Sequence, residues 1–558
     1  MSGRLRQVLA VGGQCGVPLA AVLGIAAYLA GALSQSAPGF PWDDAWIHAT
    51  LARNLAETGR LGLQAGVWGA GSSSLLWVLL LAAGYRLGLS PWMTAVLLGG
   101  SAHAFASWAF SRLSGDLLGR TGGTLAGMLY ALFGPLVFLA LSGMEAAFFL
   151  SLGIAAVWTW TRRRPVWTGT LLGLLLLARV ESVVLWGVLL VAEAAWSWRG
   201  RRWGALAWTA LLPLVGLVAA SAVRLASEGH LIPLTLSGRR WLWGLPPPGT
   251  WAPEQMALFL DNWRIYLLDW FLQAFRLEGW PALHAGYRFL LALWGLGGSA
   301  FLAGRTWQAR GEPRAWGSLL LLLWGLGHTL LYLLLLPIAS FRHQVPLLPA
   351  VLLVLSSGEA LLFAGLRRAL GPRRPWLPWA ARGLAAAALL GWAGLTCAQW
   401  LTNYRDQVEH INRVHVRMGQ WIAARVPKDA VVASFDIGAV SFFGEHEVVD
   451  LGGLTDEAIL PALYGHQVAP YLQARGAAYL VMISRPGDYW WGQLGLVPPT
   501  LGQTLTLSEL QSCEIAPYAR SPFDRPADYY FYPASRLLVI YAIQWVTPAA
   551  GPAGPPVR

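Results

Sequence analysis

Apolar residues run along this chain in blocks of membrane length, and short stretches between them carry most of its charge. A helix rises about 1.5 Å per residue, so roughly 20 apolar residues are needed to cross a hydrocarbon core about 30 Å thick. Segments 8–32, 92–111, 121–141, 146–160, 166–180, 183–198, 204–223, 287–304, 316–336, 345–366 and 379–400 read as spans of this kind. One further run, "SSSLLWVLLLAAGYRLG", has an apolar core of only about a dozen residues, roughly 20 Å as a helix.

The arginines place that short run. Short cytoplasmic loops are enriched in Lys and Arg. If 75–88 stays on one side as a juxtamembrane or re-entrant helix, "SRLSGDLLGR", "TRRRP", "WRGRRW", "GRTWQARGEPR" and "LRRALGPRRPW" all lie inside. If it crosses, "TRRRP", "WRGRRW" and "LRRALGPRR" move outside, against the rule. The expected fold is therefore mainly α, a polytopic helical membrane protein with about 11 transmembrane helices and juxtamembrane helices in the first outer loop. The basic start "MSGRLRQ" is expected in the cytoplasm. The first span has no clear small-residue cleavage site and reads as a retained anchor.

From about residue 401 the pattern changes. Short β-rich runs appear, "AVVASF", "HEVVDL", "AAYLVMI" and "RLLVIYAI", with helix-like stretches between them. This predicts a soluble α/β domain. The expected division is a transmembrane domain over 1–400, an extracytoplasmic domain over 401–545 and a disordered Pro/Gly-rich tail over 546–558.

Composition narrows the function classes. The 558 residues are 56% hydrophobic and 12% charged, against about 25% charged in soluble chains. The net charge of +12 sits between apolar runs, where the positive-inside rule expects it, and so gives no argument for a nucleic-acid partner. Cys15, Cys397 and Cys513 lie far apart and suggest neither a disulfide framework nor a metal site. No P-loop, dinucleotide fingerprint, HExxH or GxSxG appears in a supporting context. Arginine greatly outnumbers lysine, a codon bias pointing to a GC-rich bacterial genome and hence to a bacterial cytoplasmic (inner) membrane.

The candidate chemistry lies at the predicted outer ends of the spans. In "PWDDAWIHATLARNLAETG", Ile47, Leu51 and Leu55 recur at helical spacing, which predicts an amphipathic helix on the outer leaflet. One aspartate would cap that helix; a second needs another role. A carboxylate placed there can take a proton from an attacking hydroxyl, and the departing phosphate of a lipid-linked sugar needs cationic stabilisation. The outer-side cations are Arg179, Arg239, Arg240, Arg342 and His343. Arg342 stands out because Pro346 and Pro349 disrupt the start of the following span, and irregular backbone at membrane depth needs protein or a water-filled cavity around it. Glu145 either caps the next span or lines a cavity. Arg179 and Glu181 are two apart, so on a helix each would need another partner. They read equally as a structural ion pair or as substrate contacts. His103 and His328 read as core or interface residues.

Taken together, these segments resemble the GT-C superfamily of integral-membrane glycosyltransferases, in its arabinofuranosyltransferase-like branch, with protein mannosyltransferases and aminoarabinose transferases as relatives. The resemblance is carried by "DDAWIHATLARNLAETG", "GSSSLLW", "LSGMEAAFF", "ARVESVV", "EGHLIPLTLSGRR", "FRHQVPLLP" and "FDIGAVSFFGEHEVVDLGGLTD", in that order. It implies inverting transfer of a sugar from a polyprenyl-phosphate donor to a glycan, protein or lipid acceptor outside the cytoplasm. It also implies Asp43 as base with Asp44 beside it, and Glu145, Arg179, Glu181 and Arg342 as cavity positions. Because the implied donor is a lipid monophosphate, no cofactor and no divalent metal are expected. Thr50, Leu51, Val180 and Leu234 depart from the branch's usual residues and leave the sugar open. Two other readings stand beside this one: a transporter or flippase of a lipid-linked precursor, and a non-catalytic envelope-assembly protein working through its tail.

Overall fold

A computed structural model describes residues 3–66, 74–200, 203–229, 233–242, 281–335, 342–370, 374–514 and 537–546, with short stretches between them. The tail beyond 546, expected to be disordered, lies outside the described residues, as does most of the glycine-rich segment before Ser74.

Every segment read as a span is helical: α1 (Gly3–Leu33), α4 (Pro91–Leu132), α5 (Gly134–Leu141), α6 (Ala146–Thr161), α7 (Pro165–Ala178), α8 (Val183–Gly200), α9 (Trp203–Glu228), α11 (Pro281–Gln308), α12 (Pro313–Leu335), α13 (Leu347–Leu370) and α14 (Leu377–Ile411). Two predicted spans share α4, whose backbone leaves helical geometry at Gly119 (φ 75°, ψ 171°). The chain folds back there, which brings Gly123 against Ser111 and Gly115, and Gly127 against Ser107 and Ser111. The second half then bends by 54° into α5. Six described helices are long and apolar enough to cross a bilayer alone, seven with the bent pair. Helices α6 and α7 are shorter apolar helices, as is α3 (Leu75–Arg86). This is a multi-pass helical membrane protein.

Small residues let the helices approach closely, as lipid-embedded packing favours. A Cβ added to Gly216 of α9 would lie 2.1 Å from the carbonyl oxygen of Gly173 in α7. At the basic ends, arginines pair with carboxylates: Arg162 with Asp116 at 3.0 Å, Arg163 with Glu193 at 2.7 Å, and Arg382 with Glu359 at 2.5 Å.

The C-terminal part joins without a break. Helix α14 runs through residue 401, then a π-helical turn (Asn412–Val416) leads into α15 (Arg417–Arg425). Beyond it a five-stranded sheet has the order β2-β1-β3-β5-β4. Its strands are β1 (Val431–Ser434), β2 (Glu447–Asp450), β3 (Ala477–Met482), β4 (Leu505–Glu514) and β5 (Leu537–Trp545). β2, β1 and β3 run parallel, whereas β5 is antiparallel to β3 and β4. The sequence pattern missed β4. Its register slips between Glu509 and Gln511, and most of its residues are exposed or half-buried, so no apolar alternation marks it.

The first outer loop departs from expectation. Helix α2 (Asp44–Thr58) is buried on nearly every face, including His48, Thr50 and Asn54. It does not lie on a leaflet as an amphipathic helix, because other elements cover both sides. Tyr85 of α3 donates to Glu57 at 2.7 Å, and Arg86 Nε donates to the Ala56 carbonyl at 3.0 Å. On the opposite side Trp46 packs against Phe442 and Phe443 of α16 (Gly438–Gly444) in the C-terminal domain.

Candidate active site

Consecutive side chains on a helix start point about 100° apart, and the twin acids diverge accordingly. Asp43 occupies the position before α2 but does not cap it. Its carboxylate turns to the C-terminal domain, where Oδ2 accepts from Gly438 N–H at 2.7 Å and Oδ1 from Ala439 N–H at 2.8 Å. The aspartate therefore caps α16, a helix 395 residues away. Burial pushes its pKa up to about 6, with His415 opposing the rise and Asp436 adding to it.

Asp44 faces the other way. Its Oδ2 accepts from Arg342 Nη2. The Arg342 guanidinium also stacks 4.9 Å above the Trp42 ring. The two side chains keep 35% and 25% of their surface accessible, so the pair is half-buried. Burial would raise the Asp44 carboxyl, but Arg342 and Arg239, with His48, outweigh it and hold the group below the usual aspartate range. Arg239 sits on α10 (Leu234–Leu242) and makes no hydrogen bond or ion pair among the described residues.

Behind this pair a continuous polar chain runs into the bundle. His48, one helical turn after Asp44, has Nε2 3.9 Å from Glu145 Oε2. The Glu145 Oε1 lies 3.5 Å from Arg179 Nη1. Arg179 donates to the Tyr332 hydroxyl at 2.7 Å and to Glu181 Oε1 at 3.4 Å, and Tyr332 donates to the same Glu181 oxygen at 2.6 Å. One oxygen each of Glu145 and Glu181, and Nδ1 of His48, are buried without a hydrogen-bond partner among the described residues. Unmatched groups of this kind are costly in a closed interior. Burial and the nearby Arg342 and Arg239 push the His48 imidazole down, although Glu145 and Asp44 oppose the shift. His343 is driven lower still by burial and by Arg342, Arg239 and Arg179.

The structure thus brings together Asp44, Glu145, Arg179, Glu181, Arg239, Arg342 and His343, and separates Asp43 from them. The expectation that Arg179 and Glu181 cannot face one another does not hold. Arg179 ends α7 in extended backbone (φ −155°, ψ 127°), so the i, i+2 rule for helices does not apply and the two side chains meet. Arg240 does not join the cluster, since its guanidinium is taken by the carbonyls of Pro246 and Leu335 at 2.8 and 2.6 Å. His103 is a core residue on the Ala131 carbonyl, as read. Sequence reasoning missed Tyr332 and gave His48 no role. Tyr332 looks like any interfacial tyrosine on an apolar helix, whereas His48, one turn from Asp44 (i, i+4), was within reach of a spacing argument. No group of three or more His, Cys, Asp or Glu among the described residues is arranged to hold a metal ion.

Solved structures share this arrangement of helices. The oligosaccharyltransferase AglB of Archaeoglobus fulgidus, in its apo form, matches with TM-score 0.57 at 12% identity, over 88% of this chain and 73% of that one. The same enzyme in complex with an inhibitory peptide and a dolichol-phosphate matches with TM-score 0.55 at 13% identity, over 84% and 69%. ArnT of Cupriavidus metallidurans, bound to undecaprenyl phosphate, matches with TM-score 0.50 at 12% identity, over 97% and 98%. The chain has the GT-C fold. Residues 401–532 match a family model described as "Domain of unknown function (DUF8728)". No curated protein matches the chain.

Proposed function

We propose that this GT-C chain transfers a sugar from a polyprenyl-phosphate donor to an acceptor hydroxyl on the outer side of a bacterial cytoplasmic membrane, with inversion and with Asp44 as the general base. The observation that carries the assignment is the divergence of the acids. Asp44 shares a half-buried, cation-rich site with Arg342 and Arg239, whereas both Asp43 oxygens are occupied by main-chain amides.

The resting ion pair has a natural place in the reaction. The phosphodiester of the incoming donor offers Arg342 two non-bridging oxygens, a bidentate partner. As the guanidinium turns to the phosphate, Asp44 loses its strongest neutralising charge and becomes a better base. The acceptor oxygen then attacks the anomeric carbon and its proton passes to Asp44. The bond from that carbon to the phosphate oxygen breaks with its electron pair, and Arg342 and Arg239 stabilise the polyprenyl phosphate that leaves. Glu145, Arg179, Glu181 and Tyr332 support the site through the Glu145–Arg179 ion pair and the hydrogen bonds among Arg179, Tyr332 and Glu181. That the similar AglB and ArnT structures were solved with a dolichol-phosphate and with undecaprenyl phosphate supports a lipid-phosphate donor.

The test is transfer by purified Asp44→Asn and Asp43→Asn variants supplied with polyprenyl-phosphate sugars. Asp44→Asn loses transfer by about 10²–10⁴-fold, and Asp43→Asn keeps a measurable part of it. Full activity in Asp44→Asn overturns the assignment. Accumulation of unchanged lipid-linked substrate across proteoliposomes, without covalent transfer, would favour a flippase instead.

A further inference from the structure

We propose that the C-terminal domain is a positioning element of the transfer site, which docks α2 and α10 at two separate points and so sets Asp44 opposite Arg239. The inference rests on the function proposed above and gives the C-terminal domain a part in it.

The first dock holds α2. Besides the Asp43 cap on α16, Arg53 Nη1 donates to the Phe442 carbonyl at 2.8 Å and lies 4.7 Å over its ring. Trp46 packs 5.0 Å from Phe442 and 4.7 Å from Phe443. A Cβ on Gly438 would sit 2.0 Å from the Asp43 carbonyl oxygen, so the approach requires glycine there. Just before α2, Asn412 Nδ2 from the π-helical turn donates to Ser36 and Ala37, both at 2.8 Å. Asp43, Trp46 and Arg53 thus form the face of α2 turned to the domain. Asp44 and His48, one turn apart, form the face turned to the site.

The second dock holds α10. A Cβ on Gly238 would sit 2.4 Å from the Gly453 carbonyl oxygen, in the loop after β2. Trp241 Nε1 donates to the Leu463 carbonyl at 3.0 Å, and its ring lies 6.0 Å from Trp490. Gly238 and Trp241 are three apart and face the domain. Arg239 is rotated off that face and reaches the field of Asp44 and His48. Arg240 ties the same helix to the end of α12 through the Leu335 carbonyl, so α10 is held between the membrane helices and the domain. The domain therefore grips the helix that carries the base and the helix that carries a cation.

A domain that positions the two helices makes their docks separable in kinetics. The full-length protein in lipid nanodiscs is tested as Asp43→Ala, Trp241→Ala and, as a control inside the domain that removes no docking contact, Arg475→Ala, which removes the Glu447 and Asp456 pairs. Misplacing a base by about 1 Å costs on the order of 10²-fold, so Asp43→Ala lowers kcat by about ten- to a hundredfold. Its binding of undecaprenyl phosphate stays within about twofold, since no ligand to the phosphate is lost. Trp241→Ala weakens undecaprenyl phosphate binding by about five- to tenfold, the equivalent of one hydrogen bond transmitted to Arg239. Hydrogen exchange rises over 44–58 in the first variant and over 234–242 in the second. Arg475→Ala changes none of these. Should either alanine variant fail to fold, Asp43→Asn and Trp241→Phe remove single hydrogen bonds and carry the same test. The proposal is overturned if Arg475→Ala matches the dock variants, since that is loss of stability alone. It is equally overturned if the dock variants raise only the acceptor KM, which would make the domain an acceptor-binding module. Exchange and lipid binding need no turnover, so they read the docks even if Asp44→Asn shows the proposed reaction to be wrong.

Discussion

Replacing Asp44 by Asn is expected to tighten binding of the lipid phosphate while stopping transfer. Arg342 rests on Asp44, and a phosphate must draw it away. The side chains are 25% and 35% exposed, between the fully exposed pair and the buried one. Exposed pairs are worth about 0.2–1 kcal/mol, and breaking a buried one costs about 3–5 kcal/mol, so this pair is worth roughly 1–2 kcal/mol. Removing the carboxylate charge also relieves its repulsion of the phosphate, roughly 0.5–1 kcal/mol at about 8 Å in a largely aqueous dielectric. The sum, about 1.5–3 kcal/mol, corresponds to roughly ten- to 150-fold tighter binding. The assay is the Kd of undecaprenyl phosphate for the wild type and Asp44→Asn in nanodiscs, with Arg342→Gln as the variant that loses affinity. Weaker binding in Asp44→Asn would refute the exchange of partners, because Asp44 would then be helping to hold the phosphate.

Three further outcomes follow from the same geometry. Tyr332→Phe removes a hydroxyl that accepts from Arg179 and donates to Glu181 at 2.7 and 2.6 Å. A double-mutant cycle with Glu181→Gln should give a coupling of about 1–3 kcal/mol, and strict additivity would exclude the network. The Asp43 pKa is raised from 3.8 to about 6 in the fold, where His415 and Asp436 face it. Its contribution to stability is therefore fully present below about pH 4 and falls away as the pH rises through 6. The difference in Tm between wild type and Asp43→Asn, followed from pH 4 to 8, should decline across that window and level off above it; a rise would contradict the sign. Gly143 has φ +80° and carries the carbonyl that receives Trp77 Nε1 at 2.9 Å. A Cβ there would meet Phe40 at 2.5 Å and Ala45 at 2.7 Å. Gly143→Ala should cost at least about 1–2 kcal/mol from the left-handed backbone alone, read as a lower Tm together with reduced transfer.

What the sequence made legible was whatever stood out against an apolar background. Charges at the ends of spans are costly to place idly in a membrane, so Asp44, Glu145, Arg179, Glu181 and Arg342 could be found without knowing their partners. Four strands of the C-terminal sheet showed as β-branched runs, whereas β4, bulged and exposed, did not. The tertiary partners were hidden. Nothing near Asp43 announces that its carboxylate caps a helix 395 residues later, and nothing in α2 shows that a second domain buries its outer face. The helical spacing rule misjudged Arg179 and Glu181 because α7 ends between the regular turns that the rule assumes. Tyr332, whose hydroxyl bridges that pair, is indistinguishable by sequence from the aromatic residues common at membrane boundaries.

The most direct measurement is a structure of the protein with a polyprenyl-phosphate sugar bound. The account predicts Arg342 turned from Asp44 onto the phosphate, and the anomeric carbon facing the Asp44 carboxylate across a gap that one acceptor hydroxyl fills. Asp43 should still be seated on the amides of Gly438 and Ala439. A donor whose anomeric carbon faces Asp43, with that carboxylate released from the C-terminal domain and the Arg342–Asp44 pair intact, would contradict it.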